Sequence, residues 1–185
     1  MITNIYFIRH AHSTYTPDEL HRPLSKRGLS DAEKVAQTLM EHHIDYVISS
    51  PYKRAVQTVE GLANLIGQKV IINEHFKERK LSEHPVSDFE MAITKVWEDE
   101  TFFWEGGESN VSAQRRSVKA TLKLLNTYEG KNIAVGTHGN LMVLIMNYFD
   151  KRYSFDFWKQ LEMPDIYKLS FLKENLKGVN KIWCR

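Results

Sequence analysis

Cysteine is nearly absent. The single thiol, Cys184, is the penultimate residue, so neither a disulfide framework nor a cysteine metal cluster can form, and a reducing, cytoplasmic setting is expected. Long apolar runs are missing as well. The longest, Leu141 to Met146, stops at Asn147, far short of the ~20 residues that span a bilayer. The apolar start meets Arg9 before any cleavage site, so no secretory signal is expected. Neither sign of charge is in excess: 25 basic against 23 acidic residues leave a formal +2 and a pI near 8.5, too balanced for a nucleic-acid surface. No repeat or low-complexity tract interrupts the 185 residues. The expectation is one soluble globular domain, 1–185, with neither nucleic acid nor a membrane as partner.

What is present is a regular alternation. Ile5-Tyr6-Phe7-Ile8 reads as a short strand buried on both faces. A polar loop with Pro17 and Pro23 leads to a helix starting near Ser25 or Lys26, with Leu29, Ala32, Val35, Ala36, Leu39 and Met40 as its apolar stripe and Ser30, Asp31, Glu33 and Lys34 opposite. Ile44 to Ser49 is a second strand. Ser50-Pro51 opens a second helix with Ala55, Val59, Leu62, Ala63 and Ile66 buried, proline being tolerated in a first turn. Gly67 stops that helix, and Lys69 to Asn73 makes a third strand. Glu108 to Tyr128 is helical with Val111, Val118, Leu122 and Leu125 buried. Asn132 to Gly136 is a fourth strand, followed by a helix, Leu141 to Tyr148, apolar nearly all round.

Strand, helix, strand, helix, strand implies parallel pairing with crossovers. Near the end, Tyr167, Leu169 and Phe171 alternate with polar residues, and a turn at Gly178 leads to Val179 to Trp183, an antiparallel hairpin that extends the sheet. Residues 80–107 form a helical insert over the site, with Val86, Phe89, Ile93, Val96 and Trp97 at helical intervals. The insert is either a satellite aromatic core or a substrate-contacting wall.

The first strand runs straight into Arg9-His10. A buried strand ending in a guanidinium and an imidazole delivers them to the carboxyl edge of the sheet, where open α/β sheets hold ligands. His10 and His12 suggest a metal, but Arg9 opposes a cation and favours phosphate or carboxylate. Arg54, in a helix's first turn, is adverse to the helix dipole and calls for a negative partner. Strand ends of a parallel sheet share one edge, so Arg9, His10, Arg54, Glu78 and His138 can converge although distant in sequence.

These residues stand within Arg9-His10-Ala11-His12-Ser13, Ser49-Ser50-Pro51-Tyr52-Lys53-Arg54-Ala55-Val56-Gln57-Thr58, Glu78-Arg79, Gly107-Glu108-Ser109 and Thr137-His138-Gly139-Asn140. In that order they resemble the motifs of the histidine phosphatase superfamily, over essentially the whole chain. The resemblance implies the phosphoglycerate mutase-like fold, an α/β three-layer sandwich whose mostly parallel central sheet is flanked by helices. It implies His10 as nucleophile, Arg9, Arg54 and His138 completing a phosphate pocket, and Glu78 as proton donor. It further suggests Ser13, Arg79 and Asn140 as phosphate or substrate contacts. No cofactor or metal is expected.

Two positions depart from the family pattern. Ala11 stands where glycine is common, and His12 where glutamate or glutamine is frequent, so His12 is either a substrate contact or an exposed loop imidazole. Only 27 residues separate Arg79 from Gly107, and in the family so short an insert resembles the phosphatases more than the cofactor-dependent mutases. The expected activity is hydrolysis of a small phosphorylated metabolite through a phosphohistidine. Mutase-type phosphoryl transfer and a catalytically silent phospho-ligand binder are the alternatives.

Overall fold

The structure is a computed structural model, and it describes residues 1–184. Six strands form one sheet in the order β3-β2-β4-β1-β5-β6. β1 (Ile2–Arg9), β2 (Tyr46–Ser49), β3 (Ile71–Ile72) and β4 (Asn132–Thr137) run parallel, while β5 (Asp165–Leu172) and β6 (Asn175–Lys181) are antiparallel to their neighbours. Helices cover both faces. α1 (Lys26–Met40) and α2 (Lys53–Leu65) pack with Tyr6, Ile8, Val47 and Ala134 on one side. α4 (Asn110–Thr127) and α5 (Gly139–Phe149) pack with Ile5, Phe7, Ile133 and Val135 on the other. This is the expected three-layer α/β arrangement. Residues i and i+1 of β1 therefore feed different cores, as a strand buried on both faces requires.

Local sequence places most boundaries. Ser25 caps α1, its Oγ accepting from the Gly28 N–H. α2 starts at Lys53, with Tyr52 at the cap, so Pro51 lies before the helix rather than in its first turn. Ser109 Oγ takes the Ser112 N–H and starts α4 at Asn110 instead of Glu108. α3 (Phe89–Glu98) is the helix of the insert, capped by Asp88. α5 is buried nearly throughout, which fits its lack of a polar face.

Several expectations are corrected. In α1, Leu29 and Met40 are exposed, whereas Asp31 is buried within reach of Arg27 and Lys34. The stripe that packs is narrower: Ala32, Val35, Ala36 and Leu39. The third strand shrinks to two half-exposed residues at the sheet edge, where only β2 pairs with it. The hairpin turns between β5 and β6 at Lys173, which takes a left-handed φ of 54°, and Gly178 instead sits inside β6 opposite Ser170 beside a register shift. α6 (Phe155–Lys159) was not expected from the sequence; five residues are too few for a 3.6-residue period to register.

Gly28 ties α1 to the loop that follows β1. A Cβ there would lie 2.0 Å from the His12 carbonyl oxygen, a backbone atom. Gly28→Ala should therefore destabilise the fold by about 2 kcal/mol or more, a fall of roughly 4–8 °C in Tm for a chain of this size. Calorimetry of the variant checks this, and an unchanged Tm would refute the contact.

Candidate active site

The site begins with strand register. β1 and β4 are parallel neighbours with Arg9 paired to Thr137, and the His10 N–H donates to the Thr137 carbonyl at 3.0 Å. The next residue of each chain, His10 and His138, thus leaves the sheet side by side. Their rings meet edge to face with centroids 5.2 Å apart. The exits then diverge, α1 going to one face and α5 to the other, which is the switch-point geometry that opens a crevice.

His10 is almost fully buried, and its two nitrogens are both accounted for. Nδ1 lies 2.7 Å from the Ala11 carbonyl, which can only accept, so Nδ1 carries the proton. Arg54 Nε, which can only donate, lies 3.3 Å from Nε2. Both partners select the same neutral tautomer, with the Nε2 lone pair outward. The following residue is fixed too: Ala11 is fully buried and its N–H donates to Thr58 Oγ1 at 3.0 Å. It lies outside the positive-φ residues, so a Cβ in place of glycine costs nothing there.

His138 is the N-cap residue of α5 and is wholly buried, Nε2 hydrogen-bonded to Ser50 Oγ at 2.8 Å and Nδ1 without a protein partner. Ser50 also accepts the Tyr52 N–H, and Tyr52 lies edge-on to His138 and beneath the Arg54 guanidinium, 4.8 Å from ring centre to Cζ. Burial, then the surrounding arginines, holds both imidazoles neutral: His10 is pushed down to about 3, and His138 well below its ordinary range by burial and then by His10 and Arg54.

The arginines take different partners. Arg54, in the first turn of α2, donates to the Glu19 carbonyl at 2.8 Å and meets Glu19 Oε2 at 3.1 Å, so the negative partner that its position demands is Glu19 from the loop after β1. Arg22 contacts the other Glu19 oxygen and adds a third cation near His10. Arg9 Nη1 donates to the Leu161 and Glu162 carbonyls at 3.0 and 3.1 Å. Its guanidinium rests on Gly139, where a Cβ would come within 3.0 Å of Nε.

Glu78 reaches the start of α5. Its Oε1 accepts the Arg79 and Leu141 N–H groups at 2.8 and 3.0 Å, and its Oε2 accepts the Asn140 N–H at 3.2 Å. A carboxylate at a helix N-terminus satisfies otherwise orphaned donors, and its charge acts on Arg9 and Arg54. Arg116 fixes the approach, donating to the Glu78 carbonyl while pairing in bidentate fashion with Glu108.

The remaining expected residues separate. Asn140 Oδ1 accepts from Trp97 Nε1 of α3 at 3.1 Å, which ties the insert to the crevice. Arg79 is buried with Nε and Nη1 lacking acceptors. Ser13 is held by a backbone bridge to Leu24. His12 is exposed, its Nδ1 2.8 Å from Ser25 Oγ, an exposed loop imidazole. Ser50, Tyr52, Glu19 and Arg22 were not assigned roles from the sequence. Only Arg54's position hinted at Glu19, and no local pattern could name it. Among the described residues, no cluster of His, Cys, Asp or Glu is placed to hold a metal ion, and no helix is long and apolar enough to cross a membrane.

The model of the histidine phosphatase superfamily (branch 1) matches residues 5–178. A mycobacterial glucosyl-3-phosphoglycerate phosphatase superposes with a TM-score of 0.80 at 20% identity, covering 99% of each chain. A phosphoserine phosphatase from Entamoeba histolytica, a mutant form in complex with phosphoserine, gives 0.78 at 22% identity over 96% of each chain. Bacillus stearothermophilus YhfR gives 0.77 at 18% identity, covering 95% of this chain and 94% of that one.

Neutral buried imidazoles make stability depend on pH. An unfolded histidine takes a proton near pH 6.5, which the native site refuses until far lower pH. The unfolded chain therefore binds more protons below pH 6.5, and stability falls as pH drops from 6.5 toward 3, by up to about 1.4 kcal/mol per pH unit for each imidazole. Urea midpoints between pH 7 and 5 should fall less steeply for His10→Gln than for the parent, and parallel slopes would contradict the depression.

Proposed function

The chain belongs to the histidine phosphatase superfamily, and from that premise we propose that it is a phosphoric monoester hydrolase that cleaves small phosphomonoesters through a phosphohistidine on His10. The observation that carries this reading is the hydrogen bonding of the His10 ring: Nδ1 tied to the Ala11 carbonyl and Nε2 kept unprotonated against Arg54. A nucleophilic imidazole needs an unprotonated nitrogen and a fixed tautomer, and these two partners favour both. Related proteins named for phosphoserine and for glucosyl-3-phosphoglycerate support small phosphomonoesters as the class.

In the proposed first half-reaction the substrate phosphoryl group enters between His10, His138, Arg54 and Arg9. The 3.3 Å contact from Arg54 Nε to His10 Nε2 is long and easily exchanged for one to a phosphoryl oxygen, which turns the lone pair toward phosphorus. The N–P bond forms as the P–O bond to the alcohol breaks, and Glu78, carrying a proton taken up with the incoming phosphate group, gives it to the leaving oxygen. In the second, Glu78 takes a proton from water, whose oxygen attacks phosphorus and releases inorganic phosphate and neutral His10. The arginines and the start of α5 stabilise charge on the equatorial oxygens, positioning and electrostatics being most of what phosphoryl transfer requires. Arg79, Asn140 and Ser13 are proposed substrate contacts.

His10→Ala should abolish both turnover and acid-labile labelling by a radiolabelled phosphomonoester, and appreciable turnover would refute the nucleophile. Glu78→Gln should slow an alkyl phosphate by about 10²-fold or more while affecting p-nitrophenyl phosphate far less, since that leaving group barely needs a proton. Equal losses on the two substrates would remove Glu78 as the acid.

A further inference from the structure

Two hollows lie along the insert helix. The larger, about 490 Å³, runs along α3 between Asp88 and Glu98 and touches none of the candidate site residues. The other, about 350 Å³, lies between α3 and α6 and has Arg9 in its wall. It thus shares one guanidinium with the proposed phosphate pocket. Its walls are Phe89 and Ile93 on the α3 side and Phe155 and Trp158 on the α6 side, with Leu161 beneath.

The α6 wall belongs to a stack. Phe155 lies nearly parallel to Trp97 of α3 and to Trp158, with centroid spacings of 5.6 and 5.4 Å and interplanar angles of 19° and 15°. Trp97 is anchored at Asn140, so the stack is fixed to the start of α5. Facing it, Phe89 is 56% exposed, a large apolar side chain with little protein cover.

The charge of this groove narrows what it can hold. Beyond Arg9, its cation is Lys159, which is 3.4 Å from Asp156 and 4.3 Å above the Phe155 ring. Its remaining charged residue is Glu90. Within the groove's own lining no further positive group faces a substrate carboxylate, and five of its lining residues, Phe89, Ile93, Phe155, Trp158 and Leu161, are apolar. Aromatic walls of this kind bind rings by stacking, at a volume suited to one small ring and its substituents.

We infer that this groove seats the alcohol part of the phosphomonoester, and that this alcohol is uncharged and carries a six-membered ring. The inference rests on the proposed phosphatase reading and adds a substrate class to it. The ring lies between Phe89 and the edge of the Phe155–Trp158 stack, with its phosphoryl group reaching past Arg9 to His10. Aromatic and sugar rings share the required shape, and separate substrates tell them apart.

The test uses the full chain and four alkyl phosphates: ethyl phosphate, benzyl phosphate, glucose 6-phosphate and phosphoserine. Benzyl phosphate or glucose 6-phosphate should exceed phosphoserine in kcat/KM by about tenfold or more, and the better of the two identifies the ring. Phe89→Ala should lower the preference for that ring substrate over ethyl phosphate by about tenfold, the worth of one aromatic contact, and mainly through KM. Glu90→Lys should narrow the gap to phosphoserine. Phosphoserine equal to or better than both ring substrates, or a ring-to-ethyl ratio unmoved by Phe89→Ala, would overturn the inference while ethyl phosphate turnover with a labelled His10 left the phosphatase reading standing. Turnover of none of the four would overturn both.

Discussion

The parallel pairing of β1 with β4 is the constraint on which the rest depends. Aligning Arg9 with Thr137 means that two histidines 128 residues apart leave adjacent strands at the same level. Their rings then meet edge to face, both buried. A slip of one residue would flip the side chains of β1 between the two cores, so the apolar content of Ile5 to Ile8, buried on both sides, protects the site by protecting the register.

Concentrating arginines around neutral imidazoles carries an electrostatic cost, and the protein offsets it with anions drawn from unrelated segments. Glu19 faces Arg54 and Arg22 from the loop after β1. Glu78 acts on Arg9 and Arg79, Asp165 on Arg9, and Glu108 binds Arg116. Asp165 is fully buried, its carboxyl raised chiefly by that burial, and it accepts the Glu162 and Ile166 N–H groups. It thereby shapes the turn whose carbonyls hold Arg9. Buried cations without such partners would be strongly destabilising. Burial first, and neighbouring charges after it, keep the two imidazoles unprotonated.

Legibility followed the length of each pattern. The long crossover helices and the apolar strands repeat their period several times, and their positions were readable to within a few residues. Short or edge elements were not: β3 has only two residues, and α6 has too few for a helical repeat. Gly178 attracted the hairpin turn because glycine favours turns, but cross-strand pairing moved the turn to Lys173 and left Gly178 in the ladder. In α1, a broad apolar stripe suggested six inward residues; α2 and the sheet cover only the central four.

By itself the sequence determined which groups are available and near which strands they stand: Arg9, His10 and His138 lie where buried strands stop, Arg54 in the first turn of the helix after β2, and Glu78 beyond the exposed edge strand β3. Only the tertiary structure decided which nitrogen of His10 is unprotonated, that Glu19 is the anion opposing Arg54, that Glu78 caps α5, and that an aromatic stack from α3 and α6 borders Arg9. The physical reason is that periodicity encodes a residue's face and depth, quantities set within one element. Hydrogen-bond partners between segments 35 to 88 residues apart depend instead on sheet register and loop path, which no local pattern carries.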